Sequence, residues 1–200
     1  SLCLLACPVW HATRDIRLTP HGRCKALQHG ARVGELAESL AACTLCGGCE
    51  PACPEDIALV DMIAFLRVRL EKEIPGRLSV HEASGLAPLV SRKAETLVIP
   101  ERALAANEAL MALLRQCWPA GAMADDIGAD IALALESGGL IALRRQEQFL
   151  EPLRQAREVI VGDGMLFRAL RRWLPGKRIA SLGEALSGRM AAQLRAGDFY

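Results

Sequence analysis

Apolar residues recur at helical spacing through Val33, Leu36, Ala37 and Leu40 within Ala31 to Cys43, and again at Leu59, Met62, Ile63, Leu66 and Leu70. Both runs predict amphipathic helices, the second capped at its start by Asp56. Beyond residue 95 the pattern changes. Glu95–Pro100 is a short aliphatic run of strand length, Glu158–Gly164 is a strand ending in a glycine turn, and Lys177–Leu182 is a further extended piece. Between these lie an Ala/Leu helix from Glu101 to Cys117 and a loop around Pro119-Ala120-Gly121. Another helix starts at Asp125 or Asp126 and runs toward Ser137-Gly138-Gly139, and a charged amphipathic helix spans Leu143 to Arg157. Further helices are expected over Met165–Leu174 and from Gly183 onward. Strand and helix alternate here, which predicts a parallel sheet with crossover helices.

Cysteine placement divides the chain in the same way. Of its 200 residues and eight cysteines, all but Cys117 precede Pro75-Gly76. The expected organisation is a cluster-binding segment over 1–74, a connector over 75–94 carrying Gly76, Gly85 and Pro88, and an α/β domain over 95–200. The expected fold class is α+β, a mostly helical module followed by a small α/β domain. The apolar fraction, 52%, excludes a disordered chain and suggests extensive contact with other surfaces. Lys plus Arg (24) nearly balance Asp plus Glu (23), so the chain carries no electrostatic footprint for nucleic acid. Asp61 and Arg67 interrupt the best candidate for a membrane span, which needs about 18 apolar residues. No charged-then-apolar leader is visible, and a cytoplasmic location is expected.

The chemistry is concentrated in one run. Cys43, Cys46, Cys49 and Cys53, followed by Pro54, spell C-x2-C-x2-C-x3-C-P, the ferredoxin-type signature for iron–sulfur ligation. Structural zinc usually takes two ligand pairs separated by a long loop, so four cysteines within eleven residues favour a cluster. The tight grouping also favours metal ligation in a reducing compartment over a disulfide framework. Gly47 and Gly48 remove bulk where backbone must approach sulfides. At the other end, Cys3, Cys7 and Pro8 repeat the second half of the same signature, with the two missing cysteines falling just before Ser1. Two readings follow: the N-terminus is incomplete, or this run has decayed and one cluster remains. In two-cluster ferredoxins the fourth cysteine of each run ligates the other cluster. By that logic Cys7 joins Cys43, Cys46 and Cys49 on one [4Fe-4S] cluster, while Cys53 and Cys3 serve a second. If nothing precedes Ser1, Cys3, Cys53 and Cys24 form a candidate three-iron site.

Other chemistry-bearing residues are weaker candidates. Cys24 and Cys117 are taken as ordinary buried thiols. His11, His21, His29 and His81 share no metal-ligand spacing and are read as surface or capping residues. The turn Val161-Gly162-Asp163-Gly164 lacks the third glycine of a dinucleotide fingerprint, because Phe167 stands there. Arg168, Arg171, Arg172, Lys177 and Arg178 form a basic patch, either a solvated helix face or a docking site for an acidic partner. There is no Ser/His/Asp set, carboxylate pair or P-loop. A redox cofactor without catalytic groups describes an electron conduit.

The stretch Cys7-Pro8-Val9-Trp10-His11-Ala12-Thr13-Arg14-Asp15, then Thr19-Pro20-His21-Gly22-Arg23, then the Cys43–Pro54 signature, resembles the iron–sulfur subunits of glycolate and lactate oxidases. The anaerobic glycerol-3-phosphate dehydrogenase C subunit and heterodisulfide reductase subunits are similar. The family pattern is C-P-x-[YF]-x-A-T-x-D-E, then S-P-R-G-R; here Ile16 stands where an acid is usual and His21 replaces the first Arg. The resemblance covers residues 1–74. It implies a two-[4Fe-4S] ferredoxin-type module, and the second segment resembles in outline the family's cysteine-rich CCG domain without its cysteines. The function so implied is an electron-transfer subunit. It relays electrons between a flavoprotein partner that oxidises 2-hydroxyacids and a downstream acceptor such as quinone or another redox subunit. The alternatives are a scaffold subunit whose cluster lies off the electron path, or a heterodisulfide-reductase-like subunit. Membrane association, if any, would come through a partner.

Overall fold

The structure, a computed structural model, describes residues 2–85 and 94–191. Residues 86–93 of the expected connector lie outside the described residues. The chain forms two compact units, one comprising residues up to 82 together with Leu133–Leu140, the other comprising Ala83–Ala132 and residues from 141 onward.

The first unit is built largely from short helices, several of them started by a local device. Helix α1 covers Leu2–Leu5, and α2 (Pro8–Thr13) begins with a proline whose fixed φ suits the first helical position. Asp15 caps a 3-10 turn at Ile16–Leu18 by accepting from the Arg17 amide. Thr19 then caps α3 (Pro20–Gln28), its hydroxyl accepting from the Gly22 amide at 3.2 Å. Gly22 is tightly placed: a Cβ there would lie 2.0 Å from the Ile16 carbonyl oxygen. A 3-10 turn at Val33–Leu36 leads into α4 (Ala37–Ala42), and α5 spans Leu59–Glu73.

Asp56 does not cap α5, contrary to the sequence expectation. It lies in the turn after Cys53 with φ of 49°, and the residue at the cap position is Ala58. The cap comes instead from the cysteine loop, where Glu50 Oε1 accepts from the Val60 amide at 2.9 Å. The helix that supports the loop is thus itself fixed by the loop. Val33, Leu36, Ala37 and Leu40 pack on Ile63, Leu66 and Leu70 to form the core of this unit. Each such leucine contributes roughly 1.5–3 kcal/mol when fully buried. Residues 133–140, expected in the second domain, pack with this unit: Ser137 Oγ accepts from the His81 amide at 2.9 Å.

The second unit holds a four-stranded parallel sheet in the order β2-β1-β3-β4, as the alternation of elements predicts. Its strands are β1 (Thr96–Ile99), β2 (Ala122–Met123), β3 (Glu158–Val161) and β4 (Arg178–Ser181). Leu97, Val98, Ile99, Val159, Ile160 and Val161 are all buried, the continuous apolar pattern of strands covered on both faces. The connecting helices are α6 (Arg102–Ala105), α7 (Glu108–Cys117), α8 (Ala129–Ser137), α9 (Leu143–Gln155) and α10 (Gly164–Trp173), with α11 (Leu182–Ala191) after β4.

Two helix expectations are corrected here. The run from Glu101 to Cys117 is two helices, because Asn107 leaves helical geometry and its side chain accepts from the Leu110 amide to start α7. The helix expected from Asp125 or Asp126 starts only at Ala129. Asp126 Oδ1 accepts from the Gly128 amide, and both of its oxygens bind Arg145. Arg145, 2% exposed, also pairs with Asp130, so this buried cation is neutralised by two carboxylates. Burial alone would pull its pKa down, but the two carboxylates raise it above the ordinary value.

Candidate metal centre

The cysteine signature occupies the loop between α4 and α5. Cys43 ends α4 in extended geometry, and Leu45 (φ 53°) and Gly47 (φ 74°) reverse the backbone. The Glu50 amide then donates to the Gly47 carbonyl and the Cys53 amide to the Glu50 carbonyl, two successive tight turns. Gly48 is where the two cysteine segments meet: a Cβ there would stand 3.3 Å from the Ala6 carbonyl oxygen and 3.8 Å from Cys46 Sγ. Cys7, 7% exposed, sits at the foot of α2 just beyond that carbonyl.

Cys7, Cys43, Cys46 and Cys49 line one cavity, with Leu59, Val60 and Ile63 of α5 among its walls. Three thiols from one run and the fourth from the other therefore face the same space. Cys3 and Cys53 do not line it. They lie instead within electrostatic range of Cys24, whose thiol is pushed up by burial and then by the nearby Cys3 and Cys53. No disulfide joins cysteines among the described residues. Among the described residues no three Cys, His, Asp or Glu side chains converge closely enough to hold a single metal ion.

Burial pushes the Cys49 thiol up to about 11. Thiolate is the ligand form, so loading this site expels protons, and the apolar walls that suppress ionisation also keep water from the sulfurs. Two buried arginines flank the cysteines. Arg67, on α5, donates from Nη2 to the carbonyls of Leu40 (2.8 Å) and Cys43 (2.6 Å), and from Nη1 to that of Glu136. It thereby ties down the end of α4 and the backbone of Cys43. Burial lowers its pKa, opposed by the Cys43 sulfur.

Arg23, 1% exposed, donates from Nη1 to the Leu18 carbonyl (3.0 Å), the Ser39 carbonyl (2.7 Å) and Ser39 Oγ (3.1 Å). Its Nε–H is buried without a partner among the described residues, and the residue lines the cysteine cavity. Leaving a buried donor of this kind unmet costs about 1–3 kcal/mol, more when the group is charged. An anionic group held by the four thiolates fits this donor set, so a net-negative iron–sulfur cluster is compatible with both the sulfurs and the charge around them.

Sequence reasoning missed both arginines. Arg67 lies on the apolar stripe of α5 between Ile63 and Leu70, and a lone charge on such a stripe is the signal that could have found it. The nitrogen Nε2 of His11 is 2.7 Å from the Leu5 carbonyl, and Cys117 packs against the apolar core of the second unit. The glycine turn after β3 is filled by its own chain. A Cβ on Gly162 would meet the Glu101 amide at 2.6 Å, and Asp163 caps α10 by accepting from Leu166 N. In the basic patch, Lys177 donates to the carbonyls of Arg154 and Ala156, and Arg178 pairs with Glu158.

Residues 1–57 match the model of the 4Fe-4S dicluster domain. No curated protein and no solved structure matches the chain with significance. The matched span contains every cysteine that lines the cavity, together with Cys3, Cys24 and Cys53. The N-terminal part of the chain is an iron–sulfur module of the ferredoxin type, and its cofactor is of the 4Fe-4S kind.

Proposed function

We propose that this chain is an electron-transfer subunit in which Cys7, Cys43, Cys46 and Cys49 ligate one [4Fe-4S] cluster, with Cys53 and Cys3 contributing to a second. The observation that carries the reading is the convergence of those four cysteines, three from one run and one from the other, on a single apolar cavity. When bound, such a cluster accepts and releases single electrons. The chain's own residues do the rest. The turns at Leu45 and Gly47 present the sulfurs, Arg67 fixes the Cys43 backbone, and Leu59, Val60 and Ile63 exclude water. Cys46 is the exposed member of the set, so it marks the side from which electrons enter or leave.

The donor under this proposal is a flavoprotein oxidising a 2-hydroxyacid, and the acceptor is a quinone-linked or second redox subunit. The resemblance of residues 7–54 to iron–sulfur subunits of such oxidases supports it. Among the described residues no helix is long and apolar enough to cross a membrane, so contact with a membrane-borne acceptor would run through another subunit. The second unit, with Cys117 as its single cysteine, serves as a docking scaffold in this reading.

The test is to isolate the protein anaerobically with its co-purifying subunits, count iron and sulfide, and mix the complex with lactate or glycolate. Broad visible absorbance that bleaches on mixing, with a low-temperature EPR signal, is expected. A protein that binds no iron overturns the ligand set. Iron that a co-purified flavoprotein cannot reduce overturns the electron path and favours the scaffold role.

A further inference from the structure

Resting on the ligand set proposed above, we infer that Arg23 is a positioning residue for the cluster. Its Nε–H donates a hydrogen bond to a cluster sulfur, and its charge raises the cluster's reduction potential. Three observations converge. Arg23 is almost wholly buried and lines the cavity of Cys7, Cys43, Cys46 and Cys49. Its stapling role, to the Leu18 carbonyl and to Ser39, leaves from Nη1 alone. Among the described residues its Nε–H meets no acceptor.

A staple made by one nitrogen does not require a guanidinium. A lysine ammonium could serve three acceptors from one atom, at no cost in unmet donors on the way. What arginine adds is a second, fixed donor, and the cavity that Arg23 lines is also lined by the thiols of Cys7, Cys43, Cys46 and Cys49. Among the described residues the partners of Arg23 are carbonyl and hydroxyl oxygens, none of them a carboxylate. Its charge is therefore left for an anion to balance. Reduction adds one electron to a group that is already net negative, so a nearby buried cation favours the reduced state. Hydrogen bonds to cluster sulfur act in the same direction. Helix α3 is well placed to hold this donor still, since Gly22 and the Thr19 cap fix the turn immediately before Arg23.

The experiment compares the holoprotein with Arg23→Lys and Arg23→Gln by EPR-monitored redox titration, after iron and sulfide counts. Arg23→Gln is expected to disfavour reduction at least tenfold, about 59 mV for a one-electron couple. Arg23→Lys should shift it less, because the charge remains. A second measurement uses the wild-type holoprotein alone, for the case in which the variants fail to take up iron. With ¹⁵N-arginine, electron–nuclear double resonance of the reduced cluster should show a ¹⁵N coupling and an exchangeable proton lost in D2O. An unchanged potential in both variants, or no arginine nitrogen coupling in the wild type, overturns the inference. Neither result bears on the ligand set, which fails separately if the wild type holds no iron.

Discussion

Arg23 and Arg145 are equally buried, yet they sit in opposite electrostatic settings. In the sheet-bearing unit, Arg145 meets Asp126 and Asp130, and the charges cancel within the chain. In the cysteine-bearing unit, Arg23 meets carbonyls and a serine hydroxyl and keeps an unpartnered Nε–H. The second unit also carries a continuous apolar sheet, whereas in the first only Cys7 is buried between Leu2 and Arg14. One unit closes its own energetic account. The other holds a 4Fe-4S module, and one buried donor beside its cysteines, Arg23 Nε–H, lacks a partner among the described residues.

The comparison breaks most visibly on iron removal. Chelation should abolish amide protection over Leu2–Arg14 and Cys43–Ile57 in hydrogen exchange, while β1 and β3 keep theirs. These segments have few apolar anchors of their own, and metal affinity in such sites is folding free energy. Equal loss in both units, or none, would end the distinction. Next in size is Phe149→Ala. Phe149 is fully buried on α9 and its ring lies where a Cβ on Gly128 would come within 2.8 Å. The truncation should cost about 3–5 kcal/mol in denaturant unfolding of the second unit. Iron content should stay at the wild-type value.

Arg145→Met should follow, destabilising the second unit by about 2–4 kcal/mol near neutral pH, because two carboxylates lose their shared cation while keeping some access to water. The effect carries a pH signature. Burial would raise the Asp130 pKa, but hydrogen bonds and charge from Arg145 outweigh it, and the carboxyl sits below the ordinary 3.8. A depressed folded-state pKa gives stability that is full above the unfolded value and lost as pH falls through the folded one. Wild-type stability should therefore drop below about pH 4, and the gap to Arg145→Met should narrow over the same range. A gap that widens in acid would mean the pair is not the source.

How much of this the sequence carried depends on range. The sheet strands at Leu97–Ile99 and Val159–Val161 were legible because a strand buried on both faces writes itself as an unbroken aliphatic run. The iron–sulfur module was legible because the Cys43–Cys53 signature is written in local cysteine spacing. Asn107 hid inside an Ala/Leu pattern, since the break depends on one side chain turning back onto a single amide. Two-residue β2 offered no periodicity at all. Arg23 and Arg145 were illegible for a different reason. An arginine is buried only when distant groups surround it, and Ser39 and Asp126 lie 16 and 19 residues away.

Gly22→Ala is the smallest and most local test, and it addresses the unit that depends on a bound group. The new Cβ would stand 2.0 Å from the Ile16 carbonyl oxygen, backbone against backbone, with no flexible side chain to yield. The start of α3 must therefore shift, at a cost of about 1–3 kcal/mol. Arg23 is the next residue, so the shift should also move its guanidinium relative to the cysteines. The expected outcome is a modest loss of thermal stability, together with a cluster that loads but is harder to reduce than in the wild type. The same substitution at Gly176, a position with φ of 84° in the turn before β4, strains the backbone of the second unit instead and should leave the potential alone. If both glycine variants shifted the potential alike, the link between the α3 turn and the cysteine site would be lost. A shift confined to Gly22→Ala would tie it to the residue beside it.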